Sequence, residues 1–286
     1  TLEPCTHYGK TPPCTNIIIK KKIKEVFYSF EDPDKRTFKK AKQILTQKGI
    51  KTKLIRTKKF SKFYKSYFTN KKLFIPYLTA KIAISKDYFT INKKERWITN
   101  EISRNKVHLL RSMHDCVLST SKTINQDDSL LNCRINGLNN NKPDLFIIDL
   151  KLKLKKKLSL KRYIKRRKTF LITNKDNTKK ALVYKKLGYK FIFINKLKDK
   201  NDFNLLFKKI YKKGYSRMLI ETGLTFLNNL FKNKMVHELY IFKSDKKLGK
   251  NGKNNSSSGY LKSFRPKLLT INLNGDSLLK KIFNYV

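Results

Sequence analysis

The chain has 286 residues with 68 basic and 20 acidic side chains, a formal net charge of +48, and 39% apolar content of which aromatics make up 12% of the chain. That much apolar surface, in a chain long enough for two modest domains, excludes a disordered polyelectrolyte, and no run approaches the ~20 apolar residues of a membrane-spanning helix. Only eleven of the basic residues are Arg, and the lysines, accompanied by Asn, Ile, Phe and Tyr, follow the bias of A- and T-rich codons and flank every apolar run. A surface that tracks nucleic acid gathers its charge into a stripe, so nucleic acid is not expected as a partner. Four dispersed cysteines fit no disulfide scaffold and no signal peptide precedes the first motif, which points to a cytoplasmic location.

In chain order, the first motif is Pro4-Cys5-Thr6-His7-Tyr8-Gly9-Lys10-Thr11-Pro12-Pro13-Cys14. Two thiols at a helix start suit a catalytic zinc, because the positive helix end eases their ionisation, but such a metal takes three protein ligands and a nearby carboxylate. The His-x-Glu that opens the zinc deaminase signature is not found at His7, His108, His114 or His237. A structural zinc clamp shared with Cys116 and Cys133 is the competing reading; otherwise those two pack as small apolar residues. The spacing then predicts a helix over Thr15 to Lys22, a strand over Val26 to Phe30, a Asp32-Pro33-Asp34 turn, a helix over Arg36 to Lys48 ending on Gly49, a strand over Thr52 to Arg56 and a connecting helix over Phe60 to Lys72. A domain boundary is expected near Lys72.

Beyond it, strands are expected at Phe74 to Ser85, Asp115 to Ser121, Asp144 to Asp149, Thr169 to Thr173, Lys190 to Asn195, Arg217 to Glu221, Glu238 to Lys243 and Leu268 to Leu273. Helices are expected at Thr99 to Met113, Thr178 to Leu187, Phe203 to Lys213 and Leu224 to Phe231. This alternation predicts an α/β class with one central sheet flanked by helices. The densest basic run, Lys151 to Arg167, is either a nucleic-acid contact or a solvated face, and its K-L-K-L opening suits a charge-guarded edge strand. The Gly-, Asn- and Ser-rich stretch Lys246 to Gly259 reads as a mobile loop.

T-L-E-P-C-T-H-Y-G-K-T-P-P-C at 1 to 14, the Asp-Pro-Asp turn at 32 to 34 and K-G-I-K at 48 to 51 resemble the second half of a deaminase domain. R-W-I-T at 96 to 99, V-H-L-L-R-S at 107 to 112, T-x-x-x-D-D-x-x-L-x-x-R from Thr123 to Arg134 and I-E-T-G-L-T at 220 to 225 resemble the reductase domain that follows it in the bifunctional riboflavin-biosynthesis deaminase/reductase family. The resemblance implies residues 1–72 as the C-terminal part of a cytidine-deaminase-like zinc domain and residues 73–286 as a dihydrofolate-reductase-like domain with a mostly parallel sheet. It implies Zn2+ on Cys5 and Cys14, with the family's His-Ala-Glu segment upstream of Thr1, and NADPH in the reductase. It further implies Arg111, Leu131, Arg134 and Glu221 on a small pyrimidine ribosyl phosphate, and Trp97, Thr123, Asp127, Gly223, Leu224 and Thr225 on the cofactor.

Guanidinium chemistry suits a phosphate, and Glu221 falls at a strand's carboxyl end, where open α/β sheets gather ligands. The reaction implied is reduction of the ribosyl side chain to ribityl after zinc-dependent deamination, with a homodimer through the reductase domain left open. A basic RNA-associated protein and a non-catalytic remnant are the rival readings. The chain departs from the family at Tyr88, where a glycine is usual, and at Glu95 and Leu150, where serines occur, so the backbone near the expected nicotinamide is expected to differ at Tyr88.

Overall fold

The computed structural model describes residues 1–57, 61–138 and 142–284, so Phe60 lies outside the described residues. The chain divides into two compact units, Thr1–Phe74 and Ile75–Val286.

The first unit contains α1 (Cys14–Lys20), β1 (Glu25–Tyr28), α2 (Lys40–Gln47), β2 (Lys51–Leu54) and α3 (Ser61–Leu73), with β1 and β2 paired in parallel. Helix α2 begins later than its apolar spacing predicts because Lys39 takes a left-handed φ of 59° and offers no side-chain cap. A remote residue satisfies that helix start. The buried Glu3 carboxylate accepts from the backbone N–H groups of Asp32, Lys39 and Ala41 at 3.2, 3.0 and 3.0 Å, so its charge faces three donors that would otherwise be orphaned.

The second unit begins with β3 (Tyr77–Ile84), β4 (Ile91–Asn92), α4 (Glu101–Ser112), β5 (Cys116–Thr120), α5 (Ser121–Asp127) and β6 (Asp144–Ile148). It continues through β7 (Thr169–Asn174), α6 (Thr178–Lys186), β8 (Lys190–Ile194), α7 (Lys200–Lys212), β9 (Arg217–Ile220), α8 (Leu224–Lys232) and β10 (Glu238–Lys243). The closing elements are β11 (Gly252–Lys253), α9 (Gly259–Ser263), β12 (Lys267–Leu268) and β13 (Ser277–Ile282). Nine strands form one sheet in the order β12-β13-β10-β3-β9-β5-β6-β7-β8, parallel throughout except where β13 meets β10 and β12. The α/β class with a large, mostly parallel sheet is therefore the one expected. Strands β5, β6 and β9 are buried almost throughout, as both-face coverage by helices requires, and Cys116 and Cys133 pack inside as small apolar residues.

Three expectations are corrected, and one helix appears that was not expected. The strand at Leu268 to Leu273 shrinks to β12, and the edge pairing passes to β13, whose Lys280 finds Glu238 and Tyr240 across the ladder. Helix α5 has no apolar repeat to announce it; Thr120 starts it by accepting the Thr123 N–H. The run from Lys151 makes no edge strand: the Asp149 carboxylate accepts the N–H groups of Lys153 and Leu154, both at 2.8 Å, and turns the chain while Leu152, Leu154, Leu160 and Ile164 face the core. Its lysines form a solvated face. The stretch Lys246 to Gly259 is anchored: Asp87 accepts from Leu248 and Gly249, and Asn254 accepts from Thr90. Among the described residues no helix is long and apolar enough to cross a membrane.

Candidate functional site

Parallel strands end with their carbonyl ends on one edge, and the residues just past β5 and β9 meet there. The β9 strand runs into Glu221, whose N–H donates to Leu118 of β5 at 2.9 Å, while Ser119 Oγ donates to the Glu221 carbonyl at 2.7 Å. These bonds fix the Glu221 side chain against Arg111 of α4. Arg111 Nε donates to Oε1 at 2.6 Å and Nη2 to Oε2 at 3.0 Å, a fork-to-fork pair with both side chains almost wholly buried. Lys81, alone among the apolar residues of β3, reaches within 3.9 Å of Glu221 Oε2. Burial by itself would raise the Glu221 carboxyl, but Arg111 and Lys81 outweigh it and hold it below the usual range. Burial pulls Lys81 in turn below the ordinary lysine value, against the opposing attraction of Glu221.

Arg111, expected on a substrate phosphate, is thus committed inside the protein, since its Nη1 also donates to the Asn132 carbonyl at 3.1 Å. Arg134 differs. It is exposed, Nη1 donates to Asn132 Oδ1 at 2.7 Å, and its N–H donates to His108 Nδ1 at 3.2 Å. Burial, with Arg111 and Arg134 close by, lowers the His108 pKa to about 4, so the ring is neutral at pH 7. Leu131 is buried and contributes its backbone, at a φ of 53°.

The residues expected on a cofactor form an adjoining group. Thr123 Oγ1 accepts the Gly223 N–H at 3.2 Å, and α8 starts immediately afterwards with no side-chain cap. A Cβ on Gly223 would meet nothing closer than Thr123 Oγ1 at 3.8 Å, so packing does not require a glycine there. Thr222 Oγ1 and Asn228 Oδ1 are buried without partners among the described residues. The uncapped N–H groups of this helix start and the Thr222 hydroxyl are donors that suit an anionic group such as a phosphate of NADPH, whereas Asn228 Oδ1 is an acceptor and adds nothing to that set. Leu224 lies buried in the first turn of α8, and Thr225 Oγ1 donates to the Asn255 carbonyl, so the anchored loop meets that turn. A hollow of about 440 Å³ beside α5 is lined by Ser121, Lys122, Asn125, Gln126, Lys153 and Lys155. A larger one, about 580 Å³, lies in the first unit around Phe30, Leu54 and Phe68 and includes none of the expected site residues.

Trp97 is 51% exposed, with the guanidinium groups of Arg96 and Arg104 at 4.9 and 5.1 Å from its ring. Arg96 also donates to the Asp127 carbonyl at 2.9 Å, joining Trp97 to the end of α5. Tyr88 takes a left-handed φ of 67°, a conformation that favours glycine, and its ring packs under Lys243 at 4.6 Å.

In the first unit, the N–H of Cys14 donates to Cys5 Sγ at 3.2 Å, which brings the two thiols together. Hydrogen bonding to Cys5, then burial, raises the Cys14 thiol, the reverse of the expected easing by the helix end. His7 turns to Thr37 Oγ1 at 3.1 Å, and no group of three potential ligands exists among the described residues. Two donors do not make the zinc site that the motif implied, and Cys116 and Cys133 are buried within the second unit.

Sequence reasoning missed Lys81, His108, Asn132 and Arg167. Lys81 had a legible signal, a lone cation in the strand Y-L-T-A-K-I-A-I; Asn132 acts through its carbonyl, which no residue type announces.

Fold and site together define an open α/β domain that gathers charge at the carboxyl edge of a parallel sheet, the class that binds small phosphate-bearing ligands. Residues 76–276 match the family model for the RibD C-terminal domain. The chain is 31% identical over 270 residues to riboflavin biosynthesis protein RibD of Buchnera aphidicola, covering 87% of this chain and 70% of that one. It is 37% identical over 139 residues to RibD of Bacillus amyloliquefaciens, a match that spans 47% of this chain and only 37% of its relative. The solved structure of Acinetobacter baumannii RibD superposes with a TM-score of 0.81 at 25% identity, over 99% of this chain and 79% of that one. The chain belongs to the RibD family.

Proposed function

We propose that the second unit performs the reductive step of riboflavin biosynthesis, converting the ribosyl side chain of 5-amino-6-(5-phosphoribosylamino)uracil to ribityl with NADPH. The observation that carries this reading is the buried Arg111–Glu221–Lys81 cluster beside an uncapped α8 start, in a chain that matches the RibD C-terminal domain. When bound, NADPH supplies the hydride. The Gly223 to Thr225 turn and Thr123 would hold its anionic part, the lysines of the α5 hollow adding charge, and Trp97 offers an exposed ring for stacking.

Arg134, the exposed guanidinium of the site, takes the substrate phosphate in this reading, while Arg111 holds Glu221 ionised and oriented. Opening the ribosyl ring breaks the C1′–O4′ bond and leaves an oxygen that must receive a proton. Lys81 Nζ, made more acidic by burial, is the donor we assign to it, and Glu221 sets its charge. Lys81→Met is expected to lower kcat by about a hundredfold with NADPH affinity unchanged, measured as coenzyme oxidation at constant substrate. In the parent chain, kcat should fall with rising pH at a lower pH than an ordinary lysine titrates, because the acid form is the active one. Unaltered turnover in folded Lys81→Met would remove Lys81 from the mechanism. No coenzyme oxidation by the parent chain would remove the reductase reading.

The first unit supplies two thiol donors and no step is assigned to it. Deamination is proposed only together with a segment that brings a third ligand and a carboxylate.

A further inference from the structure

The loop that carries Leu131, Asn132 and Arg134 is gripped from behind by a residue that no site motif contains. Arg167 ends the basic run whose other charges are solvated, yet it is only 4% exposed. Its Nη1 donates to the carbonyls of Leu131 and Pro143, both at 3.1 Å, and Nη2 donates to the carbonyl of Leu130. Nε has no partner, and no carboxylate pairs with Arg167 among the described residues. A buried cation whose hydrogen bonds all go to neutral carbonyls, with the Asp144 carboxylate attracting it only from beyond ion-pair distance, is costly, and for stability alone an apolar side chain would serve as well.

What the guanidinium does is geometric. Two successive carbonyls, Leu130 and Leu131, converge on one planar fork while Leu131 sits at a φ of 53°, a conformation a leucine adopts only when its surroundings over-determine it. The next residues make the contacts of the site. The Asn132 carbonyl accepts from Arg111, Asn132 Oδ1 accepts from Arg134, and the Arg134 N–H reaches His108. Flexing the Leu131 turn would move all three contacts together.

We propose that Arg167 is a positioning residue, which by clasping the Leu130 and Leu131 carbonyls locks the left-handed turn that presents Arg134 to the substrate phosphate. It sets affinity for the phosphate-bearing substrate, not for the coenzyme. This rests on the reductase reading above, and one arm of the test is independent of it.

In the full chain, Arg167→Met and Arg167→Lys are compared with the parent for KM and kcat on the phosphoribosylaminouracil, for NADPH affinity by fluorescence, and for alkylation of Cys133 followed by peptide mass spectrometry. Arg167→Met is expected to raise KM about tenfold, the loss of roughly one or two net hydrogen bonds, with kcat and NADPH affinity little changed. The buried Cys133 thiol, inside the same loop, should alkylate faster. Arg167→Lys keeps the charge but not the planar fork, so its KM should fall between those of the parent and Arg167→Met. Added guanidinium ion should lower the KM of an Arg167→Ala variant. An unchanged KM in either folded variant overturns the proposal, as does a common fall of kcat, substrate affinity and NADPH affinity, which would mark a merely structural role. If Arg167→Met does not fold, Arg167→Lys carries the same test. If the parent chain turns over no substrate, the reductase reading fails; unchanged Cys133 alkylation then also overturns the clasp itself.

Discussion

Arg111 and Glu221 show how a side chain's neighbours decide its role. A guanidinium near a strand end is expected to seek a phosphate, yet here a carboxylate 2.6 Å away occupies it first. Removing Glu221 strands both Arg111 and Lys81, removing Arg111 leaves Glu221 with Lys81 alone, and removing both leaves only Lys81 without its partner. Arg111→Met or Glu221→Gln alone is therefore expected to cost roughly 3–5 kcal/mol of stability, and the double variant less than the sum of the two. Urea unfolding of the parent, both single variants and the double variant measures the coupling; strict additivity would show that the pair is not a unit. Neither chemistry nor spacing along the sequence reveals such a pairing across 110 residues.

Among elements, the first unit depends on a contact its helices do not contain. Helix α2 has a left-handed lysine where a capping side chain belongs, and Glu3 reaches across 36 residues to take the Lys39 N–H. Glu3→Ala should leave three backbone donors without their acceptor and destabilise the first unit by about 2–4 kcal/mol, seen as an earlier loss of Tyr and helix signals from that unit than from the sheet unit. Glu3→Gln, which keeps one carbonyl oxygen, should lose less. In the sequence Glu3 belongs to the motif around Cys5, and its work for α2 is not visible there. Other elements were legible: strands β3, β5, β6, β7, β8, β9 and β10 declare themselves by apolar runs, because a sheet buried on both faces leaves little room for other residues. Strand β13 was not, because Lys280 and Lys281 break its pattern and only the partners on β10 make a lysine there acceptable.

For the whole molecule, two of the three buried histidines, His108 and His114, contribute to the acid limit. Burial is the first cause that lowers His108 and His114 each to about 4, from the value of 6.5 for an unperturbed histidine. The folded state therefore binds fewer protons than the unfolded chain between these values, so stability is complete above pH 6.5 and is lost as pH falls toward 4. The loss from pH 7 to pH 5 should be roughly 1–2 kcal/mol per histidine. Urea midpoints at the two pH values test it. A His114→Gln variant should show about half the pH dependence; an unchanged slope would show that other groups govern it.

The α/β alternation, the motif residues and the family likeness are all set by the sequence itself, because apolar periodicity and local turn chemistry act within a few residues. Tertiary structure alone decided that Arg111 serves Glu221 and leaves Arg134 exposed, that Lys81 faces a carboxylate, that Cys5 and Cys14 meet with no third ligand among the described residues, and that Arg167 turns inward. Each of these depends on which charges and carbonyls are brought together from distant segments and withdrawn from water, and desolvation and pairing energies exist only once the sheet has assembled.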